Sequence, residues 1–221
     1  MTDQCALDWR GEVPVSTRFD DPYYSLENGL AETRHVFLDG NDLPARFSGG
    51  FHIAELGFGT GMNLLAALSL WRETGQEGVL RFTTFEAFPL YGEEMIRAQA
   101  AFPEVAAVAK DLAPFWMEDI RQITLPDLHF EMIEGDAREM LPLWQGAADA
   151  WFLDGFSPAK NPELWSPELM QAVFDHTAPS GTAATYTAAG HVRRGLADAG
   201  FTVTRTPGYG RKRHMTQARK L

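Results

Sequence analysis

From residue 51 onward, short apolar runs alternate with longer stretches that carry apolar residues on one helical face. The run at 51–56 predicts a buried strand, and the glycines behind it lead into an apolar stretch over 62–71 long enough for a helix. Residues 80–85, rich in Thr and Phe, predict a second strand. Third, fourth and fifth strands are expected at 130–133, 150–153 and 182–186. Ser166 before Pro167 reads as a helix N-cap with proline at the first helical position, after which Leu169, Met170, Val173 and Phe174 share one face. Pro179-Ser180-Gly181 is the expected stop of that helix. Residues 191–199 give another short helix, with Val192, Leu196 and Ala199 on one side and Gly200 placed to end it, and 201–204 resume as strand. The segment 87–129 is long for one crossover and reads as a helical insertion of two helices, 92–101 and 105–122. The first fifty residues look irregular or hairpin-like, with one β-leaning run at 33–38. Strands alternating with short helices predict an α/β fold, a mostly parallel sheet covered on both faces. No linker divides the chain, so one domain is expected over 1–221, with 1–49 as an N-terminal extension.

Composition narrows the function classes. At 221 residues, 45% hydrophobic and 22% charged, the chain has ordinary globular usage, which excludes disorder, collagen and coiled coil. Cys5 is the single cysteine and cannot form an internal disulfide, and six scattered histidines show no paired ligand spacing, so no metal is expected. No basic leader with an apolar stretch opens the chain, and no apolar run of about eighteen residues occurs, so a soluble, cytoplasmic protein without membrane contact is expected. The net charge of −11 is unevenly placed: residues 190–221 carry eight basic residues against one acid, leaving the remainder strongly acidic. Such asymmetry marks either a local surface for a polyanion or a solvated basic end.

Candidate chemistry falls where a parallel sheet binds its ligands, outside the carboxyl ends of the strands. Glu55-Leu56-Gly57-Phe58-Gly59-Thr60-Gly61 follows the first strand and opens a helix. Alternate glycines let backbone approach a ligand closely. A dinucleotide fingerprint would need a third glycine where Met62 stands, which disfavours a nicotinamide oxidoreductase. Glu55 adds negative charge beside the loop and suits a ligand carrying positive charge, such as S-adenosylmethionine. Glu86, ending the second strand, is placed to accept ribose hydroxyls. Asp136, past the third strand, accepts from an adenine amino group or caps the next helix. Asp154, in Trp151-Phe152-Leu153-Asp154-Gly155-Phe156-Ser157-Pro158, brings a carboxylate to the mouth of the site in a stiff loop, as alignment of a methyl donor and acceptor requires. Lys160 meets a phosphate or only water, Phe156 is placed to stack on a base, and Trp165 taken singly reads as core.

Taken together these residues resemble the class I S-adenosylmethionine-dependent methyltransferases. The match is closer to the methyltransferase half of the MnmC family, bifunctional bacterial enzymes that finish 5-methylaminomethyl-2-thiouridine at the tRNA wobble position. Residues 14–23, 28–38 (NGLAETRHVFL), 54–63, 149–162 (ending FLDGFSPAKNP), 187–195 and 208–213 carry the resemblance, which spans most of the chain. It implies a Rossmann-like, mostly parallel seven-stranded sheet and methyl transfer from S-adenosylmethionine to the 5-aminomethyl group of the wobble uridine. The family's cofactor motif falls on Glu55, Gly57, Gly59, Gly61 and Asn63, its ribose acid on Glu86, its adenine-side acid on Asp136 and its catalytic acid on Asp154. Phe156, Lys160, Arg193, Arg194, Arg211, Lys212 and Arg213 are the candidates for contact with the tRNA anticodon stem-loop. The family's FAD-dependent oxidase is not in this sequence, so methylation alone is expected, with any oxidase acting upstream as a separate chain. Residues 112–129 also lack the family's Pro-Gly-x-His-Arg pattern. A methyltransferase for a small-molecule or protein amine, and a binding module for an adenosine ligand, are the alternatives.

Overall fold

The computed structural model describes residues 7–25 and 28–221; Cys5 and the first six of the residues on which the leader expectation rests lie outside the described residues. The N-terminal segment opens as a small antiparallel sheet of β1 (Leu7–Arg10), β2 (Val13–Ser16) and β3 (Asp21–Pro22). Asn28 then caps α1 (Gly29–Thr33), its side chain accepting from the Ala31 amide at 2.9 Å. The chain continues through a π-helical turn (Arg34–Leu38) and a 3-10 turn (Asp39–Asn41). The β-leaning run at 33–38 is therefore helical. Val36, Phe37 and Leu38 are buried in the core, and that burial overrides the strand preference of their side chains.

The large sheet is built from β4 (His52–Leu56), β5 (Leu80–Glu86), β6 (Gln122–Leu125), β7 (Leu128–Glu134), β8 (Ala148–Leu153), β9 (Thr177–Thr185), β10 (Thr202–Pro207) and β11 (His214–Arg219). Helices α2 (Met62–Glu73), α3 (Gly92–Gln99), α4 (Ala106–Met117), α5 (Ala137–Met140), α6 (Pro167–Asp175) and α7 (Gly190–Ala199) make the connections. The strand order is β10-β11-β9-β8-β4-β5-β7-β6, with the five strands from β9 to β7 parallel and the others antiparallel.

Alternation along the central strands sorts side chains to two faces. Ile53, Ala150 and Phe152 pack with Leu64, Leu65 and Leu68 of α2, whereas Leu56, Trp151 and Leu153 pack with Leu169 and Met170 of α6 and Val192 and Leu196 of α7. Full burial of each large apolar side chain contributes about 1.5–3 kcal/mol. Among the described residues, no helix is long and apolar enough to cross a membrane.

Three sequence expectations are corrected. The sheet has eight strands rather than seven, because 122–125 is strand. The helix expected to reach 122 ends at Met117, the chain turns through Asp119 at φ 57°, and β6 pairs antiparallel with β7. The helix beginning at Pro167 already stops at Asp175. Pro179-Ser180-Gly181 lies inside β9, where Ser180 has φ 62° and the pairing with β8 slips between Ala148 and Ala150.

Candidate active site

β4, β5, β7 and β8 run parallel, so their carboxyl ends and the loops that follow gather on one side of the sheet. A cavity of about 990 Å³ lies there, large enough for a nucleoside-sized ligand together with a second reactant. Gly57, Phe58, Gly59, Glu86, Asp136, Asp154, Phe156 and Lys212 all line it.

The loop after β4 depends on glycine for two reasons. Gly57 and Gly61 hold φ at 87° and 76°, which disfavours any side chain, and a Cβ on Gly57 would stand 2.6 Å from the Asp154 carbonyl oxygen. The close approach of the two loops is thus conditional on a bare α-carbon. Glu86 braces the same loop: Oε2 accepts from the amides of Phe58 and Gly59 at 2.9 and 3.1 Å, and Oε1 accepts from Phe88 at 2.8 Å. Oε1 carries one of these bonds and keeps capacity for a hydroxyl. Glu86→Ala is expected to raise the Kd for S-adenosylhomocysteine by about tenfold or more, since charge-assisted bonds are worth about 1.5–3 kcal/mol each. Calorimetry measures it, and an unchanged Kd would remove Glu86 from the nucleoside site.

Beneath the loop, Asn63 from the first turn of α2 joins two carboxylates. Its Nδ2 donates to Glu55 Oε1 at 2.8 Å and to Asp154 Oδ2 at 2.7 Å, and Thr84 Oγ1 donates to Glu55 Oε2 at 2.8 Å. Burial pushes the Glu55 carboxyl well above its usual range, against the pull of the Asn63 bond, with nearby Asp154 adding to the rise. Burial likewise lifts the Asp154 carboxyl to about 7; Asn63 opposes the rise, Glu32 adds to it and Lys212 offsets part. Asn63 Oδ1 is buried and has no hydrogen-bond partner among the described residues. An orphaned acceptor on the residue that joins two acids, beside a glycine cradle, fits a ligand that carries both a cation and donor groups.

Asp136 acts as a helix cap: Oδ1 accepts from the Arg138 amide at 2.9 Å, and the Arg138 guanidinium holds the carboxyl below its ordinary range. Its place in the cavity wall leaves the adenine side open to it as well. Phe156 stacks on Phe19 with ring centroids 4.7 Å apart and meets the edge of Tyr23 at 5.1 Å, and Tyr23 packs against Gly59, so the wall next to the glycine loop is aromatic. Trp165 is buried and donates to the Phe156 carbonyl at 2.9 Å, a core role. Lys160, at the cavity wall, donates at the surface to the Asp20 carbonyl and carboxylate. Asp21 accepts from the Ser157 amide at 2.9 Å.

Of the basic residues expected to meet tRNA, Lys160, Arg211 and Lys212 line the cavity, while Arg213 is exposed and outside its lining. Arg193 and Arg194 lie on α7, away from the cavity lining, with Arg193 Nε donating to the Ala188 carbonyl at 3.3 Å. Phe19, Tyr23, Glu32 and Tyr186 are not singled out by the sequence. Tyr186 is within its reach, since it ends the expected fifth strand on the side where ligands bind; the other three come from the segment that reads as irregular.

This geometry has counterparts. The tRNA 5-methylaminomethyl-2-thiouridine biosynthesis bifunctional protein MnmC of Caulobacter sp. (strain K31) is 46% identical over 234 residues, which cover 99% of this chain and 39% of that protein. Its namesake in Chromohalobacter salexigens is 44% identical, with 95% and 32% covered. The chain thus spans between about a third and two-fifths of the length of these curated relatives. Among solved structures, MnmC2 from Aquifex aeolicus superposes with a TM-score of 0.79 at 25% identity, over 98% of this chain and 71% of that one. TrmN from Thermus thermophilus, at 17% identity and a TM-score of 0.52 over 83% of this chain and 47% of that one, shares the fold alone. A family model described as S-adenosyl-L-methionine-dependent methyltransferase matches residues 103–221, more than half of the chain, and the chain belongs to that family.

Proposed function

We propose that this methyltransferase acts on tRNA, transferring a methyl group from S-adenosylmethionine to the amine of a 5-aminomethyl group on the wobble uridine. The observation that carries the reading is the position of Asp154. It stands at the end of β8 in the cavity wall, its backbone against Gly57 of the glycine loop, with its carboxyl poised near neutrality. The names of the relatives carry the same modified nucleoside.

The bound cofactor supplies an electrophilic methyl group. The chain's own residues do the rest. Gly57, Gly59 and Glu86 hold the nucleoside half, and Asn63 fixes the Asp154 carboxylate. Asp154 accepts the proton that an alkylammonium must lose before its nitrogen is nucleophilic, a task suited to a carboxyl near pH 7. Phe156 and Phe19 stack the base so that the amine is aligned for attack. Arg211 and Arg213, on the turn between β10 and β11, meet phosphates of the anticodon stem-loop.

Incubation with labelled S-adenosylmethionine and tRNA carrying 5-aminomethyl-2-thiouridine is expected to label that nucleoside. Absence of transfer by a protein that binds S-adenosylhomocysteine normally overturns the reading in favour of a small-molecule or protein amine. Replacing Arg211 and Arg213 by alanine is expected to weaken tRNA binding and to lower the salt slope by about 2, one per phosphate contact. An unchanged slope would place the tRNA on another face.

A further inference from the structure

Lys212 departs from the role of a surface phosphate contact. From the turn between β10 and β11 it reaches back across the cavity to α1, where Nζ lies 2.6 Å from Glu32 Oε1 and 4.2 Å from the centroid of the Tyr186 ring. The Glu32 side chain is only 12% exposed. Tyr186 is held in place by its hydroxyl, which donates to the Gly155 carbonyl at 2.8 Å, one residue from Asp154. All four groups line the same cavity.

A half-desolvated carboxylate beside the face of a tyrosine is the pairing that recognises an alkylammonium. A lysine tip and an aminomethyl substituent are the same chemical group, a primary ammonium on a methylene. We propose that Glu32 and the face of Tyr186 form the subsite for the ammonium of the acceptor, and that Lys212 occupies it as an internal stand-in until the acceptor arrives. The inference rests on the amine-acceptor reading above and adds to it the residues that receive the cation.

Charge arithmetic supports the exchange. Burial raises the Tyr186 phenol well above its usual range, and Asp154, Asp21 and Glu32 add to the rise through space, so the negative charge of the cavity is felt at this ring. Once Lys212 swings out, Glu32 would be left partly buried without a cation, which is costly unless another cation takes the place. The incoming ammonium does so, and lies next to the Asp154 carboxylate that takes its proton. Lys212, released, is free to turn toward the polyanion that brought the acceptor.

The test uses nucleosides, so that phosphate contacts play no part. Binding of 5-aminomethyluridine and of its neutral isostere 5-hydroxymethyluridine is measured by calorimetry on the protein saturated with S-adenosylhomocysteine. Lys212→Met is expected to tighten the amine by about tenfold and to leave the alcohol unchanged, as removal of a competing, partly solvated ion pair should do. Adding Glu32→Gln to that variant is expected to abolish the gain. Equal affinities in wild type and Lys212→Met, or a gain that persists with glutamine in place of Glu32, would overturn the subsite. Loss of S-adenosylhomocysteine binding by Lys212→Met would show the pair to be a strut between the β10–β11 turn and α1, which also overturns it. Failure of the tRNA reading is separate, because it appears as absent transfer by the wild-type protein.

Discussion

Replacing Asp154 by asparagine is expected to lower kcat for methyl transfer by about 10²–10⁴-fold, the usual worth of a positioned general base. The S-adenosylhomocysteine Kd should move by less than about tenfold, because Asn63 can still donate to the amide oxygen that replaces Oδ2. In the wild type, the rate should fall as pH drops through about 7, where Asp154 takes up a proton, and that limb should vanish in the variant. The same substitution acts on stability with the opposite sign. Asp154 has a folded pKa raised from 3.8 to about 7, so the folded state favours the protonated form. Its cost to folding is absent below pH 4, grows from there to pH 7, and is full above. Three units correspond to an upper bound of about 4 kcal/mol, and the open side of the cavity reduces this to about 1–3 kcal/mol. The asparagine side chain does not ionise, so the variant should melt higher than wild type at pH 8, by about 2–4 °C per kcal/mol, and equally at pH 4. A variant that keeps its rate would mean that another group, or water, takes the proton.

The second large effect concerns Gly57. Alanine there places a methyl group 2.6 Å from a backbone carbonyl, at a φ of 87° that alanine resists. Neither side can yield cheaply. The Asp154 amide donates to Leu56 O at 3.1 Å and the Gly57 amide donates to Phe85 O at 2.9 Å, so the loop is pinned at both flanks. Relief requires β8 to part from β4 at the wall of the cavity. Gly57→Ala is expected to raise the S-adenosylhomocysteine Kd by about 100-fold and to lower Tm by about 5–10 °C, for a strain of about 2–3 kcal/mol. Calorimetry and thermal melting measure the two; normal affinity would show that the loop can shift without harm.

Legibility in the sequence followed the range of the interactions involved. β4, β5, β7 and β8 could be read because each is a short apolar run with its chemical residue at the carboxyl end, a local pattern. The cavity positions of Gly57, Gly59, Glu86 and Asp154 were legible for the same reason, whereas Glu55 is wholly buried outside the cavity lining and is joined to it through Asn63. β6 was hidden, since Gln122–Leu125 has only Ile123 buried and owes its strand state to pairing with β7. The helical state of 34–38 was hidden because burial against the core decided it. Phe19, Tyr23 and Glu32 stand more than a hundred residues from the Asp154 loop they face. Lys212 was legible as a cation, but the 2.6 Å contact that turns it inward is with a residue 180 positions away.

The order of strands along the last edge constrains how the protein matures. β11, the last strand of this sheet in sequence order, is inserted between β9 and β10, and Lys212 sits in the turn just before it. During synthesis β9 therefore waits with an unpaired edge until residues 214–219 emerge, and nothing upstream can substitute for them. Such late, long-range pairing slows folding and leaves a sticky intermediate exposed on the ribosome. The sheet edge that carries Lys212 should therefore close only after residues 214–219 have paired, so in pulse-labelled protein resistance to protease and competence for methyl transfer should appear together after that pairing.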